Sequence, residues 1–297
     1  MHATTIARRS RLRLIIIAAM LALTGLLAAG LAGSPARAAR TADAVGLNWA
    51  GRTRPVIVLE HGAWADSSSW DGVIQILTSE GFTVYAPPNP LRGLATDAAY
   101  LNDFLTENSA LAGKPIVLVG HSYGGAVITD AAVGDSEVKA LVYVDAFIPA
   151  AGESIGELLS LPQGAGSCIG GNPANVFDLV PFPGAPSGDV DLYLQPSEFP
   201  GCFASGLSAS QAAVLAATQR PLAANAVTDV SGTPAWETIP SWAVVGTADK
   251  VIPPALQTYM AERAGARITD VNAGHLSLIS NPGAVASVIA TAAWETS

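Results

Sequence analysis

Charge is scarce in this sequence. Charged residues make up 13% of the 297, and acids outnumber bases 24 to 15, for a formal charge of −9. A nucleic-acid surface needs clustered lysine and arginine to displace counterions, so nucleic acid is excluded as a partner. Cysteine and histidine are scarcer still, with two and four copies. No grouping of His, Cys and Asp has the spacing of a metal site, and neither a glycine-rich phosphate loop nor an internal repeat is present. The chemistry is therefore expected to run without metal or cofactor. Apolar residues are not scarce: at 50% they suffice for one sizeable core.

The N-terminus differs in kind from the rest. Arg8, Arg9, Arg11 and Arg13 precede an apolar run from Leu14 to Gly33, and Ala36-Arg37-Ala38 follows. That order of basic, apolar and small residues predicts a secretory signal peptide over 1–38, cut after Ala38, and a secreted product with no stable membrane association. A retained membrane anchor is the alternative, because the run is long enough to span a bilayer. Sec and twin-arginine export both stay open. Cleavage removes five arginines and no acids, which takes the formal charge from −9 to −14. Export also gives Cys168 and Cys202 a role: in an oxidising compartment they are expected to pair across a Gly/Pro-rich stretch, stabilising it by about 4 kcal/mol. Two free, buried thiols are the alternative.

After a lead over 39–54, apolar runs alternate with helical spacing. Strands are predicted at Val56 to Leu59, Phe82 to Tyr85, Pro115 to Val119, Val138 to Val144, Trp242 to Val245 and Arg267 to Val271. Helices are predicted at Ser67 to Leu77, Asp97 to Leu111, after Ser122, at Pro254 to Ala264 and at Pro282 to Ala293. This alternation implies an α/β fold with a parallel sheet, split into 55–149 and 240–297. Over 150–239 the rhythm lapses. Only one helix is convincing there, Ser208 to Gln219, opened by a Ser208/Gln211 capping box and closed by Pro221. Such an excursion reads as a cap or lid.

One stretch organises the rest: Pro115-Ile-Val-Leu-Val-Gly-His-Ser-Tyr-Gly-Gly-Ala-Val-Ile128 reads as strand, tight turn, helix. Gly120-His121-Ser122-Tyr123-Gly124 has the pattern of a nucleophile elbow, which makes Ser122 the candidate nucleophile. A serine hydroxyl needs a base, and the base needs a group that fixes its tautomer. His2 leaves with the leader, His121 adjoins the serine and should point away, and His61 precedes a loop where a structural bond is expected. His275, on the loop after the last strand, is the candidate base. The orienting acid is Asp249, after the penultimate strand, or alternatively Asp145, after the strand that follows the elbow. Backbone N–H groups of Ala63 and Tyr123 are the candidate oxyanion donors. Trp64 is a possible pocket residue.

With these residues assembled, the chain resembles the α/β-hydrolase superfamily, within it the small-cap serine esterases that include plant hydroxynitrile lyases and methyl-salicylate-type esterases. The resemblance covers about Pro55 to Ala293. It rests on His61-Gly62-Ala63-Trp64, Gly120-His121-Ser122-Tyr123-Gly124-Gly125, Tyr143-Val144-Asp145-Ala146, Gly246-Thr247-Ala248-Asp249-Lys250 and Ala273-Gly274-His275. It implies hydrolysis of a small-molecule carboxylic ester or lactone through an acyl-enzyme, and its Ser, Asp, His order favours Asp249. The related hydroxynitrile lyases carry lysine after the base histidine, where this chain has Leu276. Haloalkane dehalogenases and epoxide hydrolases carry Asp at the centre of the elbow, where this chain has Ser122. A triad-based lyase, a cofactor-free perhydrolase and a non-catalytic small-ligand-binding protein remain alternatives. Few charges in the cap suggest an uncharged, hydrophobic substrate. Oligomeric state stays open.

Overall fold

In the computed structural model, which describes residues 47–186 and 188–297, the sheet is built outward from a strand with no exposed face. Along the chain the elements run β1 (Val56–Glu60), α1 (Asp71–Ser79), β2 (Val84–Tyr85), α2 (Leu94–Glu107), β3 (Ile116–His121), α3 (Tyr123–Ala131), β4 (Val138–Val144) and α4 (Ile155–Ser160). They continue with β5 (Phe177–Val180), β6 (Asp191–Leu194), α5 (Ala209–Thr218), β7 (Leu222–Ala223), α6 (Asn225–Thr228), β8 (Ser241–Gly246), α7 (Pro254–Arg263), β9 (Arg267–Val271), α8 (Ser277–Ser280) and α9 (Pro282–Glu295). The leader expected over 1–38 and its expected cleavage point lie outside the described residues.

Six strands form one sheet in the order β2-β1-β3-β4-β8-β9, with every neighbouring pair parallel. Strands β1, β3 and β8 are buried at every position, and β4 is buried except at Lys139. A parallel sheet covered on both faces demands such unbroken apolar runs. At the edge, β9 exposes Arg267, Thr269 and Asp270, which blunts it against pairing with another chain. Helix α1 packs against α9, and α2 against α3, while α3 and α9 both lie on the central strands. From β1 the chain moves outward to β2 and then returns to β3 on the other side. The strand order therefore reverses between β1 and β3, and ligands of open α/β sheets bind beyond the carboxyl ends of the strands at such a point.

Two expected elements shift. The helix expected from Asp97 begins at Leu94, because carboxylates hold its first turn: Asp97 accepts the N–H groups of Arg92 and Gly93, and Asp229 accepts that of Leu94. The helix expected from Ser67 opens as a 3₁₀ turn, Ser67–Trp70, capped by Asp66, before α1 proper. Over 150–239 there is more order than the single expected helix. That helix is present as α5 with its Ser208/Gln211 capping box. It is accompanied by an antiparallel sheet, β5-β6-β7, and by the short helices α4 and α6. Backbone bonds from Trp64 N–H to the Arg220 carbonyl and from Ala223 N–H to the Leu91 carbonyl fasten this region to the loops after β1 and β2.

Candidate active site

Ser122 sits between β3 and α3 with φ 55° and ψ −124°, a conformation that a non-glycine residue holds only when its surroundings force it. The surroundings here are backbone. A β-carbon on Gly120 would meet the Gly124 carbonyl oxygen at 2.5 Å, and one on Gly124 would meet the Glu60 carbonyl oxygen at 2.6 Å. The glycines thus allow strand, turn and helix to close on one another, and the turn lifts the serine over the sheet edge.

His275 arrives on the loop after β9 and Asp249 on the loop after β8. The Ser122 hydroxyl lies 2.9 Å from His275 Nε2, and His275 Nδ1 lies 2.8 Å from Asp249 Oδ2. An ionised carboxylate accepts, so Nδ1 carries the proton and Nε2 is left to receive one from the serine. All three side chains are buried, and burial pulls the imidazole of His275 down to about 3, so it is uncharged at neutral pH. Burial also raises the Asp249 carboxyl. Opposing that rise, Asp249 accepts the N–H groups of Ile252 (3.1 Å) and Val251 (2.7 Å) and one from Gln257 Nε2 (2.7 Å).

The other candidates fall into place around this chain. His121 donates Nε2–H to the His275 carbonyl at 2.9 Å, and His61 bonds the Gly62 carbonyl and the Asn89 N–H, so both rings are committed to backbone. Asp145 does not reach the His275 ring. Its Oδ2 accepts the N–H of Ser277 at 3.1 Å, at the start of α8, and burial together with the nearby Asp249 carboxyl raises its pKa well above the ordinary range. The loop carrying Ala63 lies directly on the elbow, since a β-carbon on Gly62 would stand 3.1 Å from the Tyr123 nitrogen. Tyr123 opens α3, so its N–H has no acceptor within the helix. Its ring turns away, and its hydroxyl donates to Asp97 at 2.7 Å.

Ala63, Ser122 and Tyr123 face a cavity of about 510 Å³ whose walls include Trp64, Phe147, Phe177 and Leu192. Trp64 donates Nε1–H to the Leu192 carbonyl at 2.8 Å and stacks on Phe177, linking the loop after β1 to β5 and β6. Cys168 and Cys202 are joined in a disulfide, with Cα atoms 5.7 Å apart. No group of three or more His, Cys, Asp or Glu capable of holding a metal occurs among the described residues.

The model of the alpha/beta hydrolase family matches residues 56–288. The chain belongs to the α/β-hydrolase family. A carbendazim hydrolyzing esterase of Nocardioides sp. is 33% identical to this chain over 133 residues, which are 41% of this chain and 55% of that protein. A probable hydrolase of Phoma sp. is 31% identical over 124 residues, 38% and 50% of the two chains. The chain thus spans about half the length of the curated relatives it matches. Among solved structures, tomato methylketone synthase I complexed with 2-tridecanone has TM-score 0.66 at 18% identity, covering 82% of this chain and 100% of its own. A pyrethroid hydrolase from Sphingobium faniae has TM-score 0.59 at 23% identity, covering 81% and 98%. These two share the α/β-hydrolase fold.

Two features of the site escape the sequence reading. Gln257, on α7, is 2% exposed and donates to both Asp249 Oδ2 and the Ile252 carbonyl. Its one signal in the sequence is a polar residue beside the apolar Leu256, Met260 and Ala261 stripe of the helix. The second is the hold of the disulfide region on the Asp249 loop. Cys168 N–H bonds the Lys250 carbonyl, Ser167 Oγ bonds the Val251 carbonyl, and Lys250 Nζ bonds the Gly201 carbonyl.

Proposed function

We propose that this α/β hydrolase cleaves carboxylic esters of small molecules through an acyl-enzyme on Ser122. His275 Nε2 takes the hydroxyl proton as the serine oxygen bonds the ester carbonyl carbon, and Asp249 steadies the imidazolium that forms. The carbonyl oxygen becomes an oxyanion beside the Ala63 and Tyr123 amides. The C–O bond to the alcohol then breaks, and the alcohol leaves with the proton from His275. Water repeats the sequence on the acyl-enzyme, releasing the acid and restoring Ser122.

The observation that carries this reading is the unbroken hydrogen-bond chain Ser122–His275–Asp249 at the wall of an apolar cavity. An esterase among the relatives supports it. Leu276, buried directly after His275, supports hydrolysis over cyanohydrin cleavage, because it supplies no cation for a departing cyanide. Residues 150–239 act as the cap over the site. The leader over 1–38 directs secretion, a reading supported by the disulfide; among the described residues no helix is long and apolar enough to cross a membrane.

A p-nitrophenyl ester series from acetate to palmitate tests the reading on the mature protein and on Ser122→Ala. The expected outcome is turnover by the native protein, a loss of about 10⁴-fold to 10⁶-fold in the variant, and a mass increase at Ser122 equal to the acyl group less the hydrogen it replaces in a rapid-quench sample. Turnover undiminished in Ser122→Ala sinks it.

A further inference from the structure

The cavity beside Ser122 has a wall chemistry that narrows its ligand further than its size does. Among the described residues, none of the side chains lining it is Asp, Glu, Lys, Arg, His, Asn or Gln. Five lining residues carry polar side-chain atoms, and each donor proton among them is already committed. Ser160 Oγ donates to the Gly156 carbonyl at 2.7 Å, and Thr228 Oγ1 to the Asn225 carbonyl at 3.1 Å. Trp64 Nε1 donates to the Leu192 carbonyl, Tyr123 Oη to Asp97, and Ser122 Oγ pairs with His275. At the rim Leu179 is 47% exposed, beside exposed Ser160, Gly170, Gly171 and Thr228.

Resting on the ester-hydrolase reading above, we propose that the substrate is a neutral ester with a bulky apolar group that carries no hydrogen-bonding or charged function besides the ester itself. Two physical terms lead there. Burying a hydroxyl or a charge without a partner costs far more than burying a methyl group. A wall whose side-chain donor protons are already committed repays that cost poorly, so polar analogues are penalised. Among the described residues no lining side chain has a free donor proton, and the Ala63 and Tyr123 amides lie at the reacting carbonyl. Selection elsewhere runs on shape and apolar area, with Trp64, Phe147 and Phe177 offering aromatic surface to a ring or chain.

Matched esters of one length test this. On the acyl side the probes are p-nitrophenyl hexanoate, 6-hydroxyhexanoate and the adipate half-ester; on the alcohol side they are hexyl acetate and 6-hydroxyhexyl acetate. The expected result, on at least one side, is a kcat/KM lower by about tenfold to a hundredfold for the hydroxyl end. The carboxylate end should lose at least about a hundredfold, chiefly through KM. Labelling of Ser122 by a fluorophosphonate and turnover of p-nitrophenyl acetate are measured on the same sample. If Ser122 labels and acetate is turned over, but hydroxyl- and carboxylate-ended esters fall within about threefold of the methyl-ended ones on both sides, the substrate class is overturned and the esterase reading stands. If neither labelling nor acetate turnover occurs, it is the esterase reading that fails.

Discussion

Gln257 and His275 donate to the same oxygen, Asp249 Oδ2. Burial works against the Asp249 carboxylate, and each N–H donor favours it, so removing one donor raises the carboxyl further. Activity requires the ionised form. A raised pKa means that this form is reached only at higher pH, so the acid limb of kcat/KM in Gln257→Leu should move upward by about one pH unit relative to the native protein. A loss of equal size at every pH would instead mark Gln257 as packing alone. For the acid itself, Asp249→Asn should lose about 10³-fold to 10⁴-fold in kcat. Asp145→Asn, which keeps an acceptor for the Ser277 N–H, should stay within about tenfold, and a reversed ranking would exchange the two roles. The meeting of Ser122 and His275 was legible because a turn motif and chain order mark them as candidates. Gln257 was not, because its role exists only where α7 folds back on the loop that precedes it.

At the scale of elements, legibility followed burial. Strands β1, β3 and β8 are covered on both faces, so their unbroken apolar runs announce them. Strands β5 and β6 have four residues each and mix Asp with Leu among glycines and prolines, so pairing rather than pattern makes them strands. The start of α2 was misread because Asp229, 135 positions away, accepts its Leu94 N–H. The disulfide joins two such loops, and through Cys168 and Ser167 one of them also braces the backbone at Lys250 and Val251, directly after Asp249. Its 34-residue separation corresponds to about 4 kcal/mol of chain entropy. The Cys168→Ser/Cys202→Ser variant should therefore melt about 8 °C lower by calorimetry. It should also lose kcat well below that melting temperature, because the acid loop loosens first. Unchanged kcat with a lowered melting temperature would confine the bond to stability.

For the whole molecule the dominant physical fact is the sign of its charge. Without residues 1–38 the formal charge is −14, and among the described residues no charged side chain lines the cavity. Two separate barriers should then oppose an anionic ester: a long-range field that repels it from the surface, and a wall that gives its carboxylate no partner. Salt distinguishes them. The field is screened over about 8 Å at physiological ionic strength and over shorter distances above it, whereas desolvation at a dry wall is indifferent to ions in bulk water. Between about 10 mM and 500 mM NaCl, kcat/KM for the adipate half-ester should rise by about twofold to fivefold, with p-nitrophenyl hexanoate unchanged. The remaining gap between the two esters at high salt measures the wall alone. If the gap closes completely, exclusion of anions is a property of the acidic surface, and the apolar lining of the cavity contributes nothing to it.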